Sequence, residues 1–184
     1  MTRRNFKVVK SIAILLVTSV FVINFLFQVV TVNGESMVPT LHNNDKLILE
    51  KVSYKITSPK QNDIVVIRYH ADIRERIIKR VIAVSGDTVK ISDNILYING
   101  KIINEYYINE DVMSDYDEIL VPKDSVFVLG DNRNFSSDSR SNEIGFVKLN
   151  LIEGKAVIRL YPFNKMGRID KYEYDHKLVS RTYG

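Results

Sequence analysis

Ser36 lies in the run Gly34-Glu35-Ser36-Met37-Val38-Pro39-Thr40-Leu41. Glycine on one side and a proline-stiffened turn on the other can present a serine hydroxyl on exposed backbone, as a nucleophile requires; the same pattern also suits a serine that only caps a turn. A serine nucleophile needs a base to take its proton. The three histidines, His42, His70 and His176, stand in no recognisable triad context. They read as structural or surface residues.

Lys79 is the alternative base. It sits in Ile77-Ile78-Lys79-Arg80-Val81-Ile82-Ala83-Val84, a run with the character of a strand. Alternation places Ile77, Lys79, Val81 and Ala83 on one face and Ile78, Arg80, Ile82 and Val84 on the other. Both faces are otherwise apolar, so burial can press an ammonium against a low-dielectric surface and lower its pKa from about 10.4. A lysine brought to roughly 7–8 can serve a serine as general base. On an edge strand, Lys79 and Arg80 would instead extend into water and discourage aggregation.

A third polar segment, Gly130-Asp131-Asn132-Arg133-Asn134-Phe135-Ser136-Ser137-Asp138-Ser139-Arg140, follows the apolar Val126-Phe127-Val128-Leu129. Such a loop can gather hydroxyls and an Asp–Arg pair around a site, or it can be a solvated turn.

These segments need elements to position them. Ser11 to Gly34 carries no charge, and Ile12 to Val32 is dominated by Ile, Leu, Val and Phe. A bilayer-spanning helix needs about 20 apolar residues, and a transmembrane anchor over 11–32 is expected. A cleaved secretory signal is the competing reading, with a shorter apolar core of about 7–15 residues. Arg3, Arg4, Lys7 and Lys10 are the only charges before Glu35. They predict a cytoplasmic basic segment over 1–10 and a chain that continues outside the cell membrane. The full chain has 26 Lys and Arg against 22 Asp and Glu, so the net +4 resides in those four cations and the remainder is neutral. A nucleic-acid partner is therefore not expected, despite the basic total. Cysteine is absent, which excludes disulfides, thiolate metal sites and a thiol nucleophile; no metal or other cofactor is expected.

Beyond the anchor the apolar runs are short and β-branched: Leu47-Ile48-Leu49, Ile64-Val65-Val66-Ile67, Ile77 to Val84 and Val126 to Leu129. They predict a mainly β, antiparallel domain over 33–165. Asn99-Gly100 between Ile95 to Ile98 and Lys101 to Ile103 is a two-residue hairpin signal. Acids dominate from Glu105 to Asp124, which reads as a solvated excursion from the core. Residues 166–184 read as a peripheral C-terminal extension.

In this order, behind an N-terminal anchor, the segments resemble the type I signal peptidases, the bacterial leader peptidases of the Ser–Lys dyad serine protease family. These membrane-bound enzymes remove signal peptides from exported proteins. The resemblance runs through Gly34 to Leu41, Asn62-Asp63-Ile64-Val65-Val66, Lys79 to Val89, Gly130 to Arg140 and Gly154-Lys155-Ala156. The single anchor is most like the Gram-positive branch. The resemblance implies a signal-peptidase-type β domain, with a small non-catalytic subdomain inserted at about 90–122.

It further implies Ser36 as nucleophile, Lys79 as general base and Ser136 as the hydroxyl that orients the lysine. Asp131, Arg133, Asp138 and Arg140 match charged residues that hold the site, with Asp138–Arg140 as the ion pair. Met37, Pro39, Ile77 and Val81 are expected to shape small apolar pockets for the −1 and −3 residues of a signal peptide. The implied partners are the signal peptides of secreted preproteins and the lipid bilayer, near the protein export machinery.

Gly34 departs from the serine that stands two residues before the nucleophile in another branch, so the oxyanion must rely on backbone N–H groups. Ala83, Ser85 and Asn62 also depart from the family pattern, and none removes a dyad residue. Two readings compete: a Ser–Lys peptidase dedicated to one secretion, pilus or conjugation system, and a catalytically silent membrane-anchored assembly factor. The latter would be expected to lack Ser36 or Lys79.

Overall fold

In the computed structural model, described over residues 3–68, 76–108 and 114–169, the chain opens with helix α1, Arg3–Leu26. The helix stops where Phe27-Gln28-Val29-Val30-Thr31 brings aromatic and β-branched residues that fit a pleated surface. These form β1 (Phe27–Thr31), antiparallel to β2 (Lys46–Glu50), with Phe27 opposite Glu50 and Thr31 opposite Lys46.

The span expected over 11–32 is thus divided between a helix and a sheet, and Val30 and Val32 are buried in the domain core. The uncharged helical part, Ser11 to Leu26, is about 24 Å long at 1.5 Å per residue, short of the roughly 30 Å of a bilayer core. Among the described residues, no helix is long and apolar enough to cross a membrane. Ile12, Leu15, Val17 and Phe25 on α1 are nevertheless more than half exposed.

The domain is mainly β and antiparallel. After β2 come the single turn α2 (Ser53–Ile56), β3 (Ile64–Arg68) and β4 (Arg76–Val84). A smaller set follows: β5 (Thr88–Ser92), β6 (Ile95–Ile98), β7 (Lys101–Ile102) and β8 (Tyr116–Leu120). The chain then returns through β9 (Ser125–Leu129), β10 (Val147–Lys148), β11 (Ile152–Tyr161) and β12 (Gly167–Arg168).

The large sheet has the order β1-β2-β11-β3-β4-β9-β10, with β12 on β11. The small sheet has the order β7-β6-β5-β8. Asn99 and Gly100 both have positive φ, at 52° and 72°, and close the β6–β7 hairpin that their residue types predict. Of the tail, Met166 is exposed, Gly167 and Arg168 pair with β11 and Ile169 is buried; His70 and residues 170–184, His176 among them, lie outside the described residues.

Three clusters of buried side chains hold the domain. Val30, Leu47, Leu49 and Val66 pack with Met37 and Leu41, which roots the segment carrying Ser36 in the core. Val65, Ile67, Val81, Val126 and Val128 form a second cluster. The third joins the two sheets, with Phe127, Leu129 and Ile82 against Val89, Ile91, Leu96 and Tyr107. Each large apolar side chain so buried contributes about 1.5–3 kcal/mol.

In β4 the simple alternation holds only to Val81. A register shift against β9 between Val81 and Ala83 makes Ile82 the extra residue of a bulge. Ala83 therefore joins Ile82 in the third cluster, while Val84 packs with Val81 against the second.

Candidate active site

Lys79 comes from the middle of β4, opposite Val65 of β3. It is only 3% exposed. Burial lowers its pKa from 10.5 to about 8; Asp138 pushes it back up, Arg140 pushes it down and Asp131 raises it. The lysine thus lies close to both carboxylates of the 130–140 loop, in surroundings that disfavour its charge.

Ser36 follows the buried end of β1. Gly34 has φ +90° and gives its N–H to Asn43 Oδ1 at 3.0 Å, which turns the chain into the Ser36 segment. That segment is tied to the 130–140 loop. Asn132 N–H donates to the Ser36 carbonyl at 3.0 Å, and Asn132 Nδ2 donates to the Glu35 carbonyl at 3.1 Å. Gly130 is required where these parts meet: a Cβ there would collide with the Ser136 side chain and with the Ser36 carbonyl oxygen. The loop that carries Ser136 is therefore the common neighbour of Ser36 and Lys79. Ser136 Oγ is buried and has no hydrogen-bond partner among the described residues.

The loop is clamped from inside. Asp138 accepts the Gly130 N–H at 3.1 Å and takes Arg140 bidentately, Nε at 2.8 Å and Nη2 at 2.9 Å. Arg140 Nη2 also reaches the Arg133 carbonyl at 2.7 Å, and Arg133 Nε reaches the Gly130 carbonyl at 3.0 Å. The Asp138–Arg140 pair expected from sequence is present.

Asp131 and Arg133 use partners that sequence reasoning missed. Asp131 is fully buried and pairs with Arg80 through Nε at 2.7 Å and Nη2 at 2.6 Å; Thr40 Oγ1 also donates to it. Arg133 pairs with Glu105 at 2.7 and 2.6 Å. Between the two arginines lies the buried ring of Tyr107, with the Arg80 guanidinium 3.9 Å from its centroid and its hydroxyl bonded to Glu105 at 2.8 Å.

Arg80 therefore does not extend into water as an edge-strand cation would. Glu105, the first acid of the stretch expected to be solvated, is likewise held inside the protein, whereas Asp115, Asp117, Glu118 and Asp124 are exposed as expected. The pair Tyr106-Tyr107 among acids was the available sign of burial.

A cleft of about 270 Å³ opens between β1 and the β3–β4 pair, lined by Val30, Thr31 and Asn33 on one side and Val66, Arg76 and Ile78 on the other. None of the four residues expected to shape the pocket lines this cleft. Met37 and Val81 are buried in core clusters, and Ile77 packs beside Val81 on the opposite face from Ile78. Pro39, half-buried after a cis Val38–Pro39 bond, lies in the Ser36 segment. Among the described residues no cluster of His, Cys, Asp or Glu could hold a metal ion.

A buried lysine of lowered pKa and a serine held by one loop can carry acyl-transfer chemistry without a metal or histidine. The chain matches the family described as "Signal peptidase, peptidase S26" over residues 5–161. It is 36% identical over 168 residues to signal peptidase I of Leptolyngbya laminosa, covering 88% of this chain and 82% of that protein. It is 35% identical over 176 residues to signal peptidase I of Bacillus licheniformis, covering 90% and 93%. A crystal structure of a signal peptidase I from Enterococcus faecalis aligns at TM-score 0.47 and 35% identity, over 54% of this chain and 97% of that one. The chain belongs to the signal peptidase family, peptidase S26.

Proposed function

We propose that this protein is a membrane-bound serine endopeptidase that removes N-terminal signal peptides from exported preproteins. Ser36 is the nucleophile and Lys79 its base. The observation that carries this reading is the burial of Lys79, with its pKa near 8, against the loop that also grips the Ser36 main chain.

Neutral Lys79 Nζ takes the proton from Ser36 Oγ as the oxygen bonds to the scissile carbonyl carbon. The resulting ammonium returns that proton to the departing amine as the C–N bond breaks, leaving an ester on Ser36. Water, deprotonated by Lys79, then releases the acid. Ser136 orients the lysine, and its hydroxyl, unpartnered among the described residues, suits that role. The Gly34 N–H is already engaged by Asn43, so the oxyanion is left to main-chain donors such as the Ser36 N–H.

Substrate enters the cleft in extended form. β1 is the terminal strand of its sheet, and β4 pairs with β9 only from Arg80 onward, so Arg76 to Lys79 has no strand on that side among the described residues. A peptide can add to such edges while its alternate side chains enter the cleft. The modest volume and the apolar walls from Val30, Val66 and Ile78 favour small residues at −1 and −3.

Helix α1 anchors the enzyme. Its exposed apolar residues have no protein cover among the described residues, and the four cations at its start favour a cytoplasmic N-terminus with the β domain outside. A helix with a short apolar part can be accommodated by local thinning and by flanking residues that reach for the interface. Ser36 follows the helix end by ten residues, which keeps it close to membrane-embedded substrates and to the export machinery that delivers them.

Incubation of the full chain with a preprotein, with the new N-terminus mapped by mass spectrometry, tests the reading. Cleavage after a small residue, abolished when −1 is changed to a bulky one, is expected. Cleavage indifferent to that change would overturn it.

A further inference from the structure

The β2–α2 segment carries Lys51 and Lys55 to the outer end of α1. Lys51 N–H donates to the Leu26 carbonyl at 3.0 Å, and Lys55 Nζ stands 5.0 Å from the centroid of the Phe25 ring. Across from them, Arg68 and Arg76 are direct partners in the β3–β4 ladder. Like charges so placed repel. They share one carboxylate, Glu153, at 3.9 Å from Arg68 and 2.8 Å from Arg76.

Between these groups lies a cleft of about 530 Å³, with Phe25, Tyr54 and Ile152 also in its wall. Among the described residues that line it, four cations stand with one acid, Glu153, where the exposed apolar helix gives way to the β domain. Ile56, 82% exposed on α2, adds an apolar group beside it.

We propose that this cleft binds the phosphate headgroup of an anionic glycerophospholipid. The lipid's acyl chains run along the exposed Phe25 and Val22 side of α1. The charge complementarity is direct, since arginine and lysine are the residues that recognise phosphate and basic groups at a bilayer interface attract anionic lipids. The position selects a lipid over a free anion, because the apolar side chain of Phe25 forms the wall on which Lys55 rests. The proposal rests on the membrane reading of α1 given above.

The test uses the full chain in nanodiscs of phosphatidylcholine containing about one fifth phosphatidylglycerol, stripped with mild detergent and read by native mass spectrometry. The wild type should retain phosphatidylglycerol well beyond its share of the disc. Lys51→Gln with Lys55→Gln, and separately Arg68→Gln, should lower that enrichment about fivefold for each cation removed. Both variants should still cleave a preprotein in pure phosphatidylcholine discs, which reports a folded domain. Enrichment equal to the disc composition, or unchanged in the variants, would overturn the proposal alone. So would displacement of the lipid by millimolar inorganic phosphate. Failure of the wild type to enter discs of either composition would overturn the anchor reading, and this proposal with it.

Discussion

The main-chain carbonyl of Ser36 accepts the N–H of Asn132 at 3.0 Å, so the serine segment and the loop carrying Ser136 share one backbone register. Residues that are 96 positions apart in the chain are thereby fixed against each other by main chain, which side-chain substitutions nearby cannot easily loosen. Lys79 is brought to the same loop by β4, whose next residue, Arg80, grips Asp131.

Gly130→Ala should inactivate the enzyme without unfolding it. The added methyl would press on the Ser136 side chain and the Ser36 carbonyl together. A displacement of about 1 Å in such a site costs on the order of 100-fold. Preprotein cleavage beside a thermal melt checks this, and near-wild-type turnover would contradict the close approach.

Ser136→Ala should lower kcat by on the order of 100-fold while leaving KM nearly unchanged, because the hydroxyl is assigned to the lysine and not to the substrate. Steady-state kinetics on a preprotein separate the two constants. A pure KM effect would move Ser136 from the base to the binding cleft.

As the proposed base, Lys79 has to be neutral to take the proton of Ser36, so kcat/KM should rise with pH to a plateau with an apparent pKa near 8. The folded-state value lies below the ordinary 10.5, so between about 8 and 10.5 the unfolded chain binds more protons and stability rises with pH. At pH 7 the full cost of burying the ammonium is present, about 3 kcal/mol from the shift to about 8. Lys79→Met should therefore be inactive and more stable at pH 7, with that pH slope removed. Urea unfolding at pH 7 and pH 10 reads both effects.

Arg80→Met leaves Asp131 buried without its bidentate partner. Loss of one member of a buried pair typically costs about 3–5 kcal/mol. A fall in melting temperature is expected, larger than for Arg140→Met, since Arg140 is partly exposed to water. Equal effects would mean that the Arg80–Asp131 pair is no more critical than the outer one.

Much of this architecture was legible from local pattern. Short β-branched runs bounded by turn residues specify an antiparallel β protein, and Asn99-Gly100 specifies its hairpin. For Lys79 the apolar run left burial and an exposed edge position both open, and the fold buries it. The Asp138–Arg140 pair was expected only through the family resemblance: Asp131 and Arg133 share its two-residue spacing and take other partners.

What stayed hidden depends on long-range closure. Arg80 and Asp131 are 51 residues apart and Glu105 and Arg133 are 28 apart, so neither pairing leaves a local trace. Glu105 begins an acidic stretch whose average composition resembles solvent-facing chain. The end of α1 was misjudged because helix and strand are equally apolar from Ile12 to Val32; only pairing with β2 separates them at Phe27. The bulge at Ile82, set by β9, redirects side chains that strict alternation assigns to other faces.

The proposed pairing of Ser36 with Lys79 is tested by cleavage of one preprotein, with mapped termini, by wild type, Ser36→Ala and Lys79→Ala, each shown to be folded by its melt. A single cut by the wild type and none by either variant is expected. Retained cleavage by either folded variant would contradict it.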